Sequence, residues 1–241
     1  MNKVINLISG PRNLSTALMY SFAQRKDCNV LDEPFYGYYL NNTSDRVEHP
    51  AHDQIIRTME LDETAIVEGI NALAAVKHVF VKGMAHHYLA EDPHFILNWD
   101  TIILLRHPKK LIASFARVID APQIQDIGTR KIAALFSFLK ANGKIPIVID
   151  SDELLKDPKN YLKKICTRLD LPFSEAMLQW EKGGLPEDGI WASHWYKNVH
   201  ESNGFKVQKS SSQELPEHLE PLLAEAMPYY NSLKEHILKN D

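Results

Sequence analysis

A three-layer α/β/α fold with a central parallel sheet is expected from three features of the 241-residue chain. Short apolar runs recur without the polar alternation of half-exposed strands, the pattern of strands covered on both faces. Between them, apolar residues repeat at three- and four-residue spacing, the mark of amphipathic helices. The two patterns alternate along the chain, so the strands are joined by helical crossovers and run parallel.

The first strand is Val4-Ile5-Asn6-Leu7-Ile8, and it runs through Ser9-Gly10-Pro11-Arg12-Asn13-Leu14-Ser15-Thr16 into a helix marked by Leu14, Leu18 and Phe22. A second strand is placed at 29–31. From 40 to 75 there is no strand pattern but two helical ones, at 53–59 and 64–73, which make a helical insert. Further strands fall at 79–81, 101–105 and 145–149. Ile132, Leu135, Phe136 and Leu139 form a helix stripe that stops before Gly143. Asp157-Pro158 reads as an N-cap followed by proline at the first helical position, with Leu162, Ile165, Cys166 and Leu169 facing inward. Residues 185–212 turn to Gly, Trp, Ser, Asn and His without periodicity, as in an ordered loop lying over a site. A helix over 215–238, interrupted by Pro221 and Pro228, closes the chain. The expected organisation is a single domain over 1–241, with the insert at 40–75 and a loop-plus-helix cap over 185–241.

With 44% hydrophobic and 24% charged residues the composition is that of a globular protein, and a net charge of -4 gives no basis for binding nucleic acid. Cys28 and Cys166 form no C-x-x-C pattern and are read as reduced thiols. A single Lys before a short strand is not a secretory leader, and the longest uncharged apolar stretch, 132–139, is too short to span a membrane. The cytoplasm is therefore expected, with no membrane partner. Nothing in the sequence speaks to oligomeric state.

In a parallel sheet, ligands sit at the carboxyl ends of the strands. The first strand delivers Gly10, Pro11, Arg12, Asn13, Leu14, Ser15 and Thr16: a tight turn and two hydroxyls at a helix start, where free N–H groups and the helix dipole favour an anion. The loop has neither the second Gly nor the Lys of G-x-x-x-x-G-K-[ST], which argues against a magnesium-bound triphosphate. The second strand delivers Asp32-Glu33-Pro34, the third Lys82 and then His86-His87, and the fourth Arg106-His107-Pro108. Ser114 follows Arg106 by eight residues, so one strand-turn-helix unit presents a guanidinium and a hydroxyl to a second phosphate. Adjacent histidines point different ways and no Cys or Asp completes a set, so no metal is expected. His49 and His52 are read as surface residues. Phe35, Tyr36, Tyr38, Tyr39, Trp191 and Trp195 line an acceptor pocket or are plain core.

The pair Pro11-Arg12-Asn13-Leu14-Ser15-Thr16 and Arg106-His107-Pro108-Lys109-Lys110-Leu111-Ile112-Ala113-Ser114 resembles the two nucleotide-binding elements of sulfotransferases that use 3′-phosphoadenosine 5′-phosphosulfate (PAPS). In that family the first element, typically P-K-S-G-T-T, holds the 5′-phosphosulfate; the second, R-x-P-x-x-x-x-x-S, holds the 3′-phosphate. The strand, acidic turn and helix from Ile145 through Asp157-Pro158 to Leu171-Pro172-Phe173 resemble the family as well. The resemblance covers most of 1–173 and implies a P-loop nucleotide-hydrolase-like sulfotransferase fold, PAPS as donor with 3′-phosphoadenosine 5′-phosphate (PAP) as product, and a small-molecule acceptor. Arg12 replaces the usual Lys and Leu14 the usual Gly. Trp195-Tyr196-Lys197-Asn198 resembles the Trp-Lys-Asn of cytosolic members, and implies Lys197, or else Lys206, as a cover for the nucleotide.

Sulfuryl transfer is an in-line displacement that needs a cation at the leaving phosphate, a second cation near the sulfuryl group and a base for the acceptor. Arg12 fits the first role and Lys82 the second. For the base, His86 or His87 resembles, loosely, the Lys-x-His segment of cytosolic sulfotransferases. Glu33 in Asp-Glu-Pro-Phe resembles the Glu-Pro-Phe of bacterial carbohydrate sulfotransferases. The expected activity is transfer of a sulfuryl group from PAPS to a hydroxyl or amine of a small acceptor. The alternatives are a P-loop nucleotide kinase-like phosphotransferase and a non-catalytic nucleotide-binding module.

Overall fold

The computed structural model describes residues 1–44, 49–117, 119, 121–206 and 215–240. Five parallel strands, β1 (Val4–Ser9), β2 (Cys28–Asp32), β3 (His78–Met84), β4 (Asp100–Leu105) and β5 (Ile147–Asp150), form one sheet in the order β2-β3-β1-β4-β5. β1 lies at the centre and is buried along its whole length. Its side chains alternate between two cores, as strand geometry requires. Ile5 and Leu7 meet Leu18 and Phe22 of α1 (Ser15–Ala23), together with residues of the later helix starting at Pro158. Val4 and Ile8 share the opposite core with Ile66, Ile132 and Leu233. The three-layer α/β/α reading thus holds.

Between β2 and β3 lie α2 (Tyr36–Asn42), α3 (His52–Thr58) and α4 (Glu63–Ala74); the last is capped by Asp62, whose carboxylate accepts from Ala65 N at 2.8 Å. The periodicity at 53–59 and 64–73 anticipated α3 and α4, whereas α2, short and rich in tyrosine, carried no clear signal. After β4 come α5 (Pro108–Phe115), α6 (Ile124–Ile127) and α7 (Thr129–Ala141), separated at Gly128 by a left-handed residue with φ 70°. Asp150 caps α8 (Ser151–Lys156) through the N–H groups of Asp152 and Glu153, and Asp157 caps α9 (Pro158–Arg168).

The stretch expected as loop contains two short helices, α10 (Ala192–Trp195) and α11 (Lys197–His200); its last part, 207–212, lies outside the described residues. The closing helix, α12 (Glu220–Lys234), starts with Pro221 in its first turn and continues through Pro228. Leu238 N then donates to Val148 O at 2.8 Å, which ties the chain end to β5.

Two strand limits differ from the expectation by more than one residue. β3 extends to Met84, so Lys82 lies inside the strand, in register with Leu7 on one side and Asp32 on the other. β5 starts at Ile147, and Ile145 is 81% exposed: its apolar side chain lies just short of the pairing. Cys28 and Cys166 are buried free thiols, and burial raises the former to about 12. No helix among the described residues is long and apolar enough to cross a membrane.

Candidate active site

The loop after β1 is shaped by two unusual positions. A Cβ on Gly10 would lie 2.6 Å from the backbone oxygen of Ile127, so no larger residue fits the approach of the α6 terminus. Arg12 takes the left-handed region at φ 56°, while Leu14, at φ -89°, occupies a conformation open to any residue. The substitution of Leu for Gly therefore costs the loop nothing at that position. Asn13 anchors the turn: its side chain donates to Leu104 O (3.1 Å) and accepts from Leu14 N (2.9 Å). The Ser151 hydroxyl at the start of α8 reaches the same Asn13 oxygen and lies 2.9 Å from Leu105 O. Ser15 opens α1, which has no side-chain cap, so its first N–H groups are available to a ligand.

Arg106 follows β4, the neighbour of β1, and donates through Nη1 to the carbonyl of Arg12. Arg12 in turn points Nε at Ser114 Oγ of α5, 3.4 Å away. The two elements singled out in the sequence thus touch one another. Burial lowers the pKa of both guanidiniums, and Arg117 lowers both further; Asp152 offsets part of the effect on Arg106. Two part-buried arginines in contact, with exposed Arg117 nearby, are stabilised by a bound anion.

On the other side of β1 is a second cluster. The Lys82 ammonium is wholly buried and donates to Asp32 Oδ1 (2.8 Å), Glu33 Oε1 (2.5 Å) and the Tyr196 hydroxyl. Burial would lower its pKa, but Asp32 and Glu33 outweigh burial and raise it. Glu33 leaves the end of β2 at φ 48°, with its N–H on Lys82 O (2.8 Å). Burial raises the Glu33 carboxyl, Lys82 opposes the shift and Asp32 reinforces it. Tyr196 donates to Asp32, accepts from Trp191 Nε1 (3.0 Å), and is held protonated by burial and the two carboxylates.

His87 is 1% exposed, stacked on Tyr36 at 4.8 Å, and its Nδ1 lies 3.9 Å from Glu33 Oε2. Burial lowers its pKa far enough to leave the ring neutral at pH 7. His86 packs edge-on against His87 (4.6 Å) and Tyr39 (5.1 Å).

Both clusters line one cleft of about 1340 Å³. Of the residues proposed from sequence, Pro11, Arg12, Asn13, Leu14, Ser15, Thr16, Glu33, Lys82, His86, His87, Arg106 and Ser114 line it. Gly10 lies behind the wall. Lys197 is exposed and does not line the cleft, whereas its neighbour Asn198 and Lys206 do. Lys82, expected as the second cation near the sulfuryl group, lines the cleft with its three donors engaged by Asp32, Glu33 and Tyr196. Among the aromatics, Tyr36, Tyr39, Trp191 and Trp195 line the cleft, but Phe35 is core, stacked on Phe95 at 5.4 Å. His49, read as a surface residue, lines the cleft and shares a 2.6 Å hydrogen bond with the Tyr36 hydroxyl. Sequence reasoning missed Arg117, Ser151 and Tyr196. The only available signal was for Tyr196, inside the Trp-Tyr-Lys-Asn run noted for its lysine. The lining carries seven Lys and Arg against three Asp and Glu, although the chain as a whole has a charge of -4. An anionic ligand suits this cleft.

A family model described as "Sulfotransferase domain" matches residues 2–237. The chain is 37% identical over 237 residues to the branched-chain-amino-acid aminotransferase-like protein 1 of Arabidopsis thaliana, covering 98% of this chain and 42% of that protein. It thus spans less than half the length of that relative. Among solved structures, the sulfotransferase domain from the curacin biosynthetic pathway superposes with a TM-score of 0.59 at 17% identity, covering 97% of this chain and 98% of the other. The sulfotransferase domain of the Synechococcus PCC 7002 olefin synthase does so with a TM-score of 0.61 at 18% identity, covering 95% and 94%. At these identities the structural likeness speaks for the fold.

Proposed function

The chain belongs to the sulfotransferase domain family, and from that premise we propose that it transfers a sulfuryl group from PAPS to a hydroxyl or amine of a small-molecule acceptor. The observation that carries this reading is the contact of the two phosphate elements, in which Arg106 holds the Arg12 carbonyl and Arg12 faces Ser114. A donor with separate 5′ and 3′ phosphates needs two such elements side by side. The residues suit it: the uncapped start of α1 and Arg12 for the 5′ end, Arg106 and Ser114 for the 3′-phosphate, and Arg117 beside both arginines.

PAPS, as donor substrate, supplies the activated sulfuryl group. Arg12 stabilises the negative charge that grows on the leaving phosphate. Glu33 is the base that takes the acceptor's proton; His86 and His87 pack beside it and shape the acceptor site. Burial disfavours the charged carboxylate, and a raised carboxyl pKa suits a base working near neutrality. Lys82 acts by holding Glu33 in place rather than by touching the sulfuryl group. The buried thiols fit a reducing compartment such as the cytoplasm.

Calorimetry with PAP, ADP and ATP, each without and with magnesium, tests the donor. Tight, metal-independent PAP binding is expected. A preference for Mg-ATP would refute the reading in favour of a phosphotransferase.

A further inference from the structure

The cations of the cleft are not equally available. Arg12, Arg106 and Arg117 all line the cleft, and Arg106 donates to the Arg12 carbonyl at the two phosphate elements. The opposite side is built from Glu33, Tyr36, Tyr39, His86, His87 and Trp191. Their rings are in contact, Tyr36 with His87 at 4.8 Å and with Trp191 at 4.9 Å, and Tyr39 with His87 at 5.0 Å. The basic side chain joined to this group is Lys82. An ammonium has three N–H donors, and Lys82 directs them at Asp32, Glu33 and Tyr196. No donor of Lys82 is left to meet an acceptor's anionic group.

The cluster also repels such a group. With Glu33 ionised, the two carboxylates and Lys82 sum to one negative charge, buried below 10% exposure at each residue. Glu33 Oε2 accepts no hydrogen bond from the described residues, its one charged-group neighbour being neutral His87 at 3.9 Å. A carboxylate or phosphate placed against this cluster would lose its water without gaining an ion pair from Lys82.

We infer that the acceptor is a non-anionic hydroxyl or amine compound, selected against carboxylate-, phosphate- and sulfate-bearing molecules by the complete pairing of Lys82 with Asp32, Glu33 and Tyr196. The inference rests on the sulfuryl-transfer reading above and narrows it. In the step itself, an acceptor oxygen or nitrogen forms a bond to sulfur and its proton passes to Glu33. The bond from sulfur to the bridging oxygen breaks, and its electron pair leaves with PAP.

Asp32 sets the selectivity in this scheme. Asp32→Asn removes one charge, brings the cluster to neutrality, and weakens one of the three ties on Lys82. The substitution should therefore admit an anionic acceptor that the natural chain rejects, a gain that simple destabilisation would not produce.

Two matched alcohols test this on the PAP-loaded full chain: 2-phenylethanol and 4-(2-hydroxyethyl)benzoate, alike but for a carboxylate, with binding followed by tryptophan fluorescence. The neutral alcohol is expected to bind at least about tenfold tighter, and Asp32→Asn to shrink that ratio by about tenfold, as the loss of one charged contact implies. Equal or reversed affinities in the natural chain overturn the inference, as does an unchanged ratio in Asp32→Asn. Neither result touches the donor reading, which is decided separately by the nucleotide calorimetry above.

Discussion

Arg106→Ala should weaken PAP far more than it weakens 5′-AMP, which lacks the 3′-phosphate. The side chain does two things that can be separated. Its Nη1 donates to the Arg12 carbonyl, supporting a loop whose residue 12 sits at φ 56°. That hydrogen bond is worth about 1 kcal/mol and is lost for both ligands. Arg106 lines the same cleft as Ser114 and Arg12, where the 3′-phosphate is proposed to bind. A charge-assisted contact there contributes about 1.5–3 kcal/mol, lost for PAP alone. At about 1.4 kcal/mol per decade, the ratio of PAP to AMP affinity should fall between about tenfold and about 150-fold. Arg106→Lys keeps the charge without the fork and should fall between the two. Titration calorimetry at constant ionic strength, with the melting temperature as a control for folding, gives all six affinities, two ligands on each of three chains. If PAP and AMP weaken by the same factor, Arg106 supports the loop and does not hold the 3′-phosphate; if neither weakens, it is outside the site.

Three further outcomes follow from the same geometry. Glu33→Gln should lower turnover by about 10²–10⁴-fold while PAP affinity is kept, and should abolish the acid limb of the pH–rate profile; in the natural chain that limb lies above the ordinary carboxylate range because burial raises Glu33. Full turnover in Glu33→Gln would pass the role of base to the histidines. The His87 pKa is depressed in the folded chain, so its stabilisation is present above about pH 6.5 and lost as pH falls below that value. Urea unfolding between pH 7 and 5 should show His87→Phe losing less stability than the natural chain, by up to about 1.4 kcal/mol per pH unit; parallel curves would mean that His87 titrates normally. Gly10→Ala drives a methyl group to 2.6 Å from the Ile127 carbonyl and should cost about 1–3 kcal/mol in denaturant unfolding, with no cost expected if α6 can move aside.

The legible parts of the chain were those set by local pattern. Buried strands such as 4–8 have no polar alternation, and caps such as Asp157-Pro158 announce themselves, so six of the helices and the parallel sheet could be read directly. The phosphate elements were legible because each is contiguous in sequence. What could not be read depends on pairs distant in the chain. Lys82 looked like a cation at a strand end; it is a strand residue because β3 pairs with β1 and β2 beyond Val81. Its charge is matched by Asp32, 50 residues away, and by Tyr196, 114 residues away. No local rule identifies such partners. His49 was misjudged for the same reason, since its place in the cleft follows from a hydrogen bond to Tyr36 in a helix that lacked a clear pattern.

Asp32 joins the chemistry to the covering segment. One of its oxygens accepts from Lys82 and Tyr196, and the other from Gly189 N at 2.9 Å and from Tyr196. Tyr196 and Trp191 belong to the part of the chain that lies over the cleft; the Tyr196 hydroxyl reaches Glu33 Oε1 directly at 3.4 Å as well as through Asp32 and Lys82, and Trp191 is joined to it through Tyr196. Asp188, next to Gly189, accepts from the Tyr20 hydroxyl of α1 at 2.6 Å, so the same segment is fastened to the helix that follows the phosphate loop. Lifting the segment would expose Lys82 and Asp32 to water and remove the tyrosine that both carboxylates hold protonated. Exposure lessens the desolvation that raises Glu33 and so weakens it as a base. In the proposed reaction the closed cover keeps Glu33 in the buried surroundings that raise its carboxyl, and proton transfer is favoured where bulk water is excluded.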